Sequence, residues 1–375
     1  MRVLHTESSC GWGGQEIRIL EESRMLRKRG HEVAIACPQS APLHPRAARW
    51  DVPVIACPIR RRGLRALVSM RRVILEWCPD VVNTHSSTDS WVAALVCRTL
   101  RKPPPIVRTR HVSAPIRPSV FARWLYASAA AHVVTTGHSV RAGVISASGI
   151  ESTRISSVPT GVDPGRFRPA DRQSARRVLG LEPNRPLVGI VATLRSWKGH
   201  EHLLEAWSLL RSPDWDLVVV GDGPQRAAIE ARVRELGLGG SVRLVGHQDE
   251  PERWFQAIDV FCLPSFANEG VPQALIQAMM SGCAVVATEV GSMSEIIADG
   301  ETGLVIPPRD PRLLADALGR LMESAELRMS LSSKARAHVL ERCTIEQMAD
   351  RMERVFMSVV HGCTNGPACG ERRSA

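Results

Sequence analysis

The sequence predicts an α/β protein of two doubly wound domains facing each other across a cleft, and three observations carry that prediction. The chain has 375 residues, too many for one ordinary α/β core and enough for two of roughly 150–190 residues each. Short apolar runs alternate with helix-like stretches through both halves, the order that gives a parallel sheet covered on both faces. Between the halves, TGVDPGRFRPADR (160–172) is rich in Gly, Pro and Asp and reads as a linker.

In the first half, apolar runs of strand length stand at 3–6, 33–37, 54–57, 81–84, 106–109, 132–135 and 155–158, with helical patterns at 14–29 and 64–77. The boundary is placed near residue 168, giving domains 1–168 and 169–343. The second half repeats the alternation with strands at 187–192, 217–220, 242–245, 260–263, 284–288 and 304–306, and helices starting near 200, 224 and 272. Helical patterns follow at 311–322, 325–341 and 344–359. The last helix is expected to pack back on the first domain, and 361–375, small and polar without a period, to be a disordered tail.

Composition is that of an ordinary globular protein, 44% hydrophobic and 23% charged, with no apolar run near the roughly 20 residues that span a bilayer. MRVLHTES has no signal-peptide pattern, so a cytoplasmic protein is expected. Of ten cysteines, Cys37, Cys57, Cys97, Cys262 and Cys283 lie singly in apolar segments and no CxxC occurs, the pattern of reduced core thiols.

Net charge is +10, and residues 1–168 hold 25 Lys/Arg against 11 Asp/Glu, leaving 23 against 27 in the rest. A basic first half points to an acidic partner: nucleic acid, anionic lipid or a phosphorylated substrate. Aromatic residues make up only 4% of the chain, too few for base-stacking platforms, and no helix-turn-helix or zinc pattern is present, which argues against nucleic acid. In residues 60–72, Arg60, Arg61, Arg62, Arg65, Arg71 and Arg72 surround Leu64, Leu67, Val68 and Met70. That is either a membrane-surface helix or a solvated face packed on its own sheet.

Several segments carry chemistry. Gly11, Gly13 and Gly14 follow the first strand and precede a helix, where backbone N–H groups favour an anion, unless they form a plain turn. A dinucleotide fingerprint would need glycine where Glu16 stands, and the second strand ends in Ala36, Cys37 and Pro38 with no acid for a ribose, which argues against NAD. Arg195 and Lys198 in RSWKG leave the carboxyl end of a strand, where such sheets bind ligands, and two donors of this kind suit a diphosphate, unless they form a solvated basic loop. In LPSFANEGVPQALIQAMMSGCAVVAT, Glu269 precedes a helix and Gln277 lies one to two turns into it, so both can face a ligand. Gly270 and Val271 can offer backbone N–H groups there.

Taken together, GWGGQE, VPTGVDPGRFRP, RSWKG, VGDGP and NEGVPQALIQAM resemble the retaining GT-B glycosyltransferases of family 4, also called group 1, over residues 1 to about 360. The resemblance implies two Rossmann-like domains, with a nucleotide-diphosphate sugar bound mainly by the second. Arg195 and Lys198 match the pair that holds the diphosphate. Glu269 matches the first glutamate of the E-x7-E motif, which contacts the transferred sugar. Gln277 stands where the family has a second glutamate on the ribose, and Pro272 where many members have Gly. Loops 246–249, with Gly246 and His247, and 269–272 are expected to read base and sugar. His111 in RTRHVSAP matches the family's histidine near the reacting sugar; a structural loop histidine or a ligand for an acceptor phosphate are the other readings. His85 and Asp89 in NTHSSTDSW are placed on the acceptor side.

By the same resemblance the configuration is retained and the acceptor is a lipid-linked or lipopolysaccharide-type glycan; together with the basic first half this leads to an expectation of peripheral binding at the inner face of the cytoplasmic membrane, and a monomer is the default expectation. No metal or other cofactor is expected. The DxD string Asp214, Trp215, Asp216 precedes a strand and so lies at the amino-terminal edge of its sheet, away from the ligand edge. A GT-B sugar-nucleotide epimerase or hydrolase is the nearest rival activity.

Overall fold

The structure is a computed structural model that describes residues 1–210, 212 and 214–364. It divides into two compact units, one of Met1–Pro159 together with the chain from Ile345 onward, the other Thr160–Thr344.

The first unit holds a seven-stranded parallel sheet of β1 (Arg2–Thr6), β2 (Glu32–Cys37), β3 (Val54–Ala56), β4 (Val81–Thr84), β5 (Ile106–Arg110), β6 (His132–Thr135) and β7 (Ile155–Ser157), in the order β3-β2-β1-β4-β5-β6-β7. Most of its strand residues are buried because helices cover both faces. Alternation along β1 shows the two layers: Val3 packs with Met25, Met352 and Phe356, and Leu4 with Met70, Ile74 and Val92 on the opposite face. The order reverses between β1 and β4, and at such a reversal the following loops diverge and leave a crevice at the carboxyl ends.

The second unit repeats the design with β8 (Leu187–Val191), β9 (Asp216–Val220), β10 (Val242–Gly246), β11 (Val260–Leu263), β12 (Ala284–Thr288) and β13 (Leu304–Ile306), in the order β10-β9-β8-β11-β12-β13. All pairings are parallel. Here the reversal lies between β8 and β11, with Phe261 and Leu263 in one core layer and Val260 and Cys262 in the other. Cys37, Cys57, Cys97, Cys262 and Cys283 are buried free thiols.

Some boundaries differ from expectation. The division falls after Pro159, not near residue 168, because the Gly/Pro/Asp stretch packs into the second unit: Val162 N–H donates to Cys343 O at 2.9 Å, and the Phe167 ring meets Phe255 edge-on at 5.8 Å. Helices Ser87–Cys97, His138–Ser148, Arg172–Val178 and Glu252–Ala257 are additional to the sequence reading. The final helix runs Ile345–Thr364, so residues 361–364 of the expected tail are helical, and the rest of that tail lies outside the described residues. This helix belongs to the first unit and lays Ile345, Met348, Met352 and Phe356 against the Val3 face of the sheet.

Phe356 is fully buried in that layer. Phe356→Ala should cost about 3 kcal/mol or more, read in a thermal melt as a fall of roughly 6 °C or more in the transition of the first unit. A shift of less than a degree would mean that the helix contributes little to it.

Candidate active site

In the second unit, the turn after β8 and the loop after β11 flank the point where strand order reverses. The chain from Arg195 makes one turn of 3-10 helix, Ser196–Lys198, and reverses at Gly199, which has φ +75°. A Cβ at Gly199 would lie 2.0 Å from Pro264 O, so only glycine lets this turn approach the β11 loop. Phe266 N–H completes the join by donating to Trp197 O at 2.8 Å. The loop continues through Asn268 at φ 59°, a left-handed position that asparagine tolerates, to Glu269, whose carbonyl touches the backbone of Gly291 after β12.

The result is an ion pair. Lys198 Nζ donates to Glu269 Oε1 at 2.6 Å, with the Glu269 side chain 6% and the Lys198 side chain 19% exposed. Removing either partner of such a pair strands a largely desolvated charge, at a cost of about 3–5 kcal/mol. Arg195, on the same turn, has no acidic partner among the described residues and lies 5.7 Å from the Trp197 ring. It lines a cavity of about 590 Å³ with Gly199, His200, Gln225 and Arg309. Both ring nitrogens of buried His200 lack a hydrogen bond, and burial, with Lys198 nearby, pushes its pKa down to about 4.

Arg309 was missed by the sequence reading. It follows β13 and stacks its guanidinium 4.4 Å over Phe266. A basic residue just past a strand end, the signal that picked out Arg195, would have found it.

Of the other predicted residues in this unit, Gln277 is buried on the helix Gln273–Met280, which starts after Pro272, and Gly270 accepts from Ser292 N–H at 3.3 Å. Val271 is buried in the core below. Gly246 and His247 lie at the end of β10, the outermost strand, with His247 exposed and 3.3 Å from Asp249. Asp216 opens β9 and binds Arg185 at 2.8 Å. Among the described residues, no group of His, Cys, Asp or Glu is arranged to hold a metal ion.

In the first unit, Gly13 caps the helix Gly14–Lys28 in extended conformation, and Gly11 N–H is already taken by Ser9 Oγ at 2.9 Å. The loop is not a bare anion cradle, because Glu7, Glu16 and Asp89 sit around it. Glu7 accepts from Ser9 N–H, Gln15 and Ser86. Burial, reinforced by Asp89 and Glu16, pushes its carboxyl up to about 8. Burial also raises Glu16.

Asp89 must be reassigned. It is the third residue of the helix Ser87–Cys97 in a reciprocal cap with Ser86, and accepts from Thr6 Oγ1 at 2.8 Å and His85 N–H at 2.9 Å. Fully buried, it turns its carboxylate inward beneath the end of β1. His85 is likewise interior, 5% exposed, with one ring nitrogen 2.9 Å from His5 and the other 3.0 Å from His111. His111 alone of the three is partly exposed. His5, Glu7, Glu22 and Asn83 were not foreseen as parts of this site, although a histidine inside the β1 run and the charges Arg18 and Glu22 on a helix that also buries Ile19 and Leu20 were visible anomalies.

Two doubly wound units, each with polar groups gathered at the carboxyl edge where strand order reverses, define a GT-B protein. Residues 12–166 match the family model "Glycosyltransferase Family 4" and residues 171–338 match "Glycosyl transferases group 1". The chain belongs to this family and has the GT-B fold.

It is 32% identical over 210 residues to the lipopolysaccharide core biosynthesis mannosyltransferase LpsB of Rhizobium meliloti, covering 53% of this chain and 60% of that protein. To the D-inositol 3-phosphate glycosyltransferase of Nocardia farcinica it is 29% identical over 372 residues, covering 87% and 80%. Anabaena Alr3699/HepE, solved in complex with UDP-glucose, shares the fold with a TM-score of 0.85 at 20% identity, over 96% of this chain and all of that one.

Glu7 offers a test of the first unit's electrostatics. Its carboxyl is raised in the folded state, so its stabilising contribution is full below the unfolded value near 4.5 and is lost as pH rises through about 8. Glu7→Gln should therefore flatten the fall in Tm between about pH 5 and pH 9. An unchanged slope would mean that Glu7 ionises there without penalty.

Proposed function

We propose that the protein moves a hexose-type sugar from a nucleotide-diphosphate sugar to a lipid-linked or lipopolysaccharide-type acceptor with retention of configuration. The observation that carries this reading is the Lys198–Glu269 pair, with the unpaired Arg195 guanidinium on the same turn. Arg195 grips two phosphate oxygens in a fork and Lys198 adds a point charge. Once the diphosphate takes Lys198, Glu269 is released to accept hydrogen bonds from sugar hydroxyls. Gly270 and Val271 supply backbone donors, Gln277 hydrogen-bonds the ribose, and Gly246 and His247 lie by the base. Gly13 and Gly14 add backbone N–H groups toward the donor. The UDP-glucose complex of the Anabaena protein and the name of the Rhizobium relative support donor class and acceptor class respectively.

Chemically, the bond from the anomeric carbon to the diphosphate oxygen breaks while the acceptor oxygen bonds to that carbon from the same face. The acceptor proton passes to the departing phosphate. Arg195 and Lys198 act on the charge that grows on the leaving group, so their contribution falls on the transition state, and no metal ion is needed for it. His111 contacts the sugar.

Membrane attachment is part of the proposal. The helix Leu64–Trp77 buries Ala66, Met70, Val73 and Ile74 and leaves Leu64 and Val68 exposed among its arginines. Beside it, Arg62 stacks 5.2 Å from Trp91, which contacts Phe121, and Val120 and Phe121 are exposed. Aliphatic and aromatic side chains set among arginines suit an anionic bilayer surface. No described helix is long and apolar enough to cross a membrane. We read the protein as a monomer working at the cytoplasmic face.

Arg195→Ala should lower kcat/KM for sugar transfer by about 100-fold or more and abolish the rise in Tm given by the matching nucleotide, while EDTA leaves the wild-type rate unchanged. Near-normal turnover in the folded variant would remove Arg195 from the site. The wild type should sediment with anionic liposomes at low salt, and Arg61→Glu with Arg65→Glu should weaken that binding about tenfold or more. No sedimentation of the wild type would exclude the surface.

A further inference from the structure

Three histidines and two further polar side chains form a continuous row through the interior of the first unit. The row begins at Arg18 and Glu22, both fully buried on one helix, with Arg18 Nε 3.7 Å from Glu22 Oε2. His5 on β1 follows, its Nε2 4.0 Å from Glu22 Oε1. His5 Nδ1 meets His85 Nε2 at 2.9 Å, and His85 Nδ1 meets His111 Nε2 at 3.0 Å. Burial holds all three imidazoles neutral, with His5 down to about 3 and His85 and His111 well below the ordinary value.

A neutral imidazole has one N–H and one lone pair, so a row of them is directional: fixing the proton on one ring fixes it on all. Two neighbours fix the direction at the buried end. Asn83 is oriented by Thr109 Oγ1, which donates to Asn83 Oδ1 at 2.9 Å. Its amide nitrogen therefore faces His5 Nδ1 at 3.5 Å and Glu22 Oε1 at 3.4 Å. An N–H donor facing His5 Nδ1 requires a lone pair there. On the other side of the ring, Glu22 Oε1 lies 4.0 Å from His5 Nε2, beyond hydrogen-bond length, and although burial raises the Glu22 carboxyl to about 7, its oxygen favours a proton on that nitrogen. His85 Nε2–H then donates to His5, His111 Nε2–H donates to His85, and His111 Nδ1 keeps its lone pair. That nitrogen has no hydrogen bond among the described residues.

We propose that Glu22, Asn83, His5 and His85 are positioning residues that hold His111 as its Nε2–H tautomer, so that its Nδ1 accepts a hydrogen bond from a hydroxyl of the bound sugar. This rests on the sugar-transfer reading and sharpens it. A lone pair takes a hydroxyl and repels a phosphate oxygen, so His111 serves the sugar and is not an anion ligand.

The test uses the full chain labelled with 15N-histidine, with His111 assigned by the signal lost in His111→Gln. Long-range proton–nitrogen correlation of the wild type should show His111 in the Nε2–H form; the Nδ1–H form overturns the proposal, and this readout needs no variant. In His5→Phe the single tautomer should give way to a mixture, with kcat for transfer down about tenfold, the scale of losing an outer partner of a functional histidine, and donor KM within about twofold. A retained single tautomer with unchanged kcat overturns the relay. If His5→Phe does not fold, Asn83→Asp places an acceptor on His5 Nδ1 and should turn His111 to Nδ1–H; no change there overturns it equally. Failure to find transfer with any donor would remove the proposed function while leaving the tautomer result standing.

Discussion

Where β8 and β11 run side by side, the loops that leave them touch at Gly199 and Pro264 with no space for a Cβ. That contact sets the separation between Lys198 and Glu269, and through Gly291 the next loop is drawn in as well. Because each strand is locked by its neighbours in a fully buried parallel sheet, the turn has little freedom to drift. A buried acid is thus held beside a cation whose adjacent arginine remains unpaired.

The first unit is organised differently. Its carboxyl edge is held by polar groups packed inward: Glu7 after β1, Asp89 at the start of the helix Ser87–Cys97, and the histidines toward β5. Desolvation dominates every one of these residues, so their protonation follows from burial more than from any partner charge. The two halves of one fold therefore offer opposite electrostatics. The second presents fixed positive charge, the first uncharged donors and acceptors, despite the excess of arginine on its exterior.

Most of the architecture was legible in the sequence because short apolar runs of strand length alternate regularly with helix-like stretches through both halves. The overlooked helices are short, or, like Ser87–Cys97, carry apolar residues on most faces and so lack a clear stripe. Arg195, Lys198 and Glu269 stood out in the sequence because they follow strand ends, and the structure gathers them on the turn after β8 and the loop after β11. Asp89 misled for the same reason: its position was right, but the reciprocal cap with Ser86 turns its carboxylate inward. His5 and Glu22 were unreadable as a pair, since only the adjacency of β1, β4 and β5 brings them into one row with His111.

The second unit is a continuous segment, whereas the first is interrupted by it and resumes only at Ile345. During translation the β-sheet of the first unit emerges early, yet its Val3 face is only partly covered, by Met25 and Leu26, until Met348, Met352 and Phe356 are made. The inserted unit can close first. The half that is begun first is finished last, and its exposed apolar face must be kept from other chains for about two hundred residues of elongation.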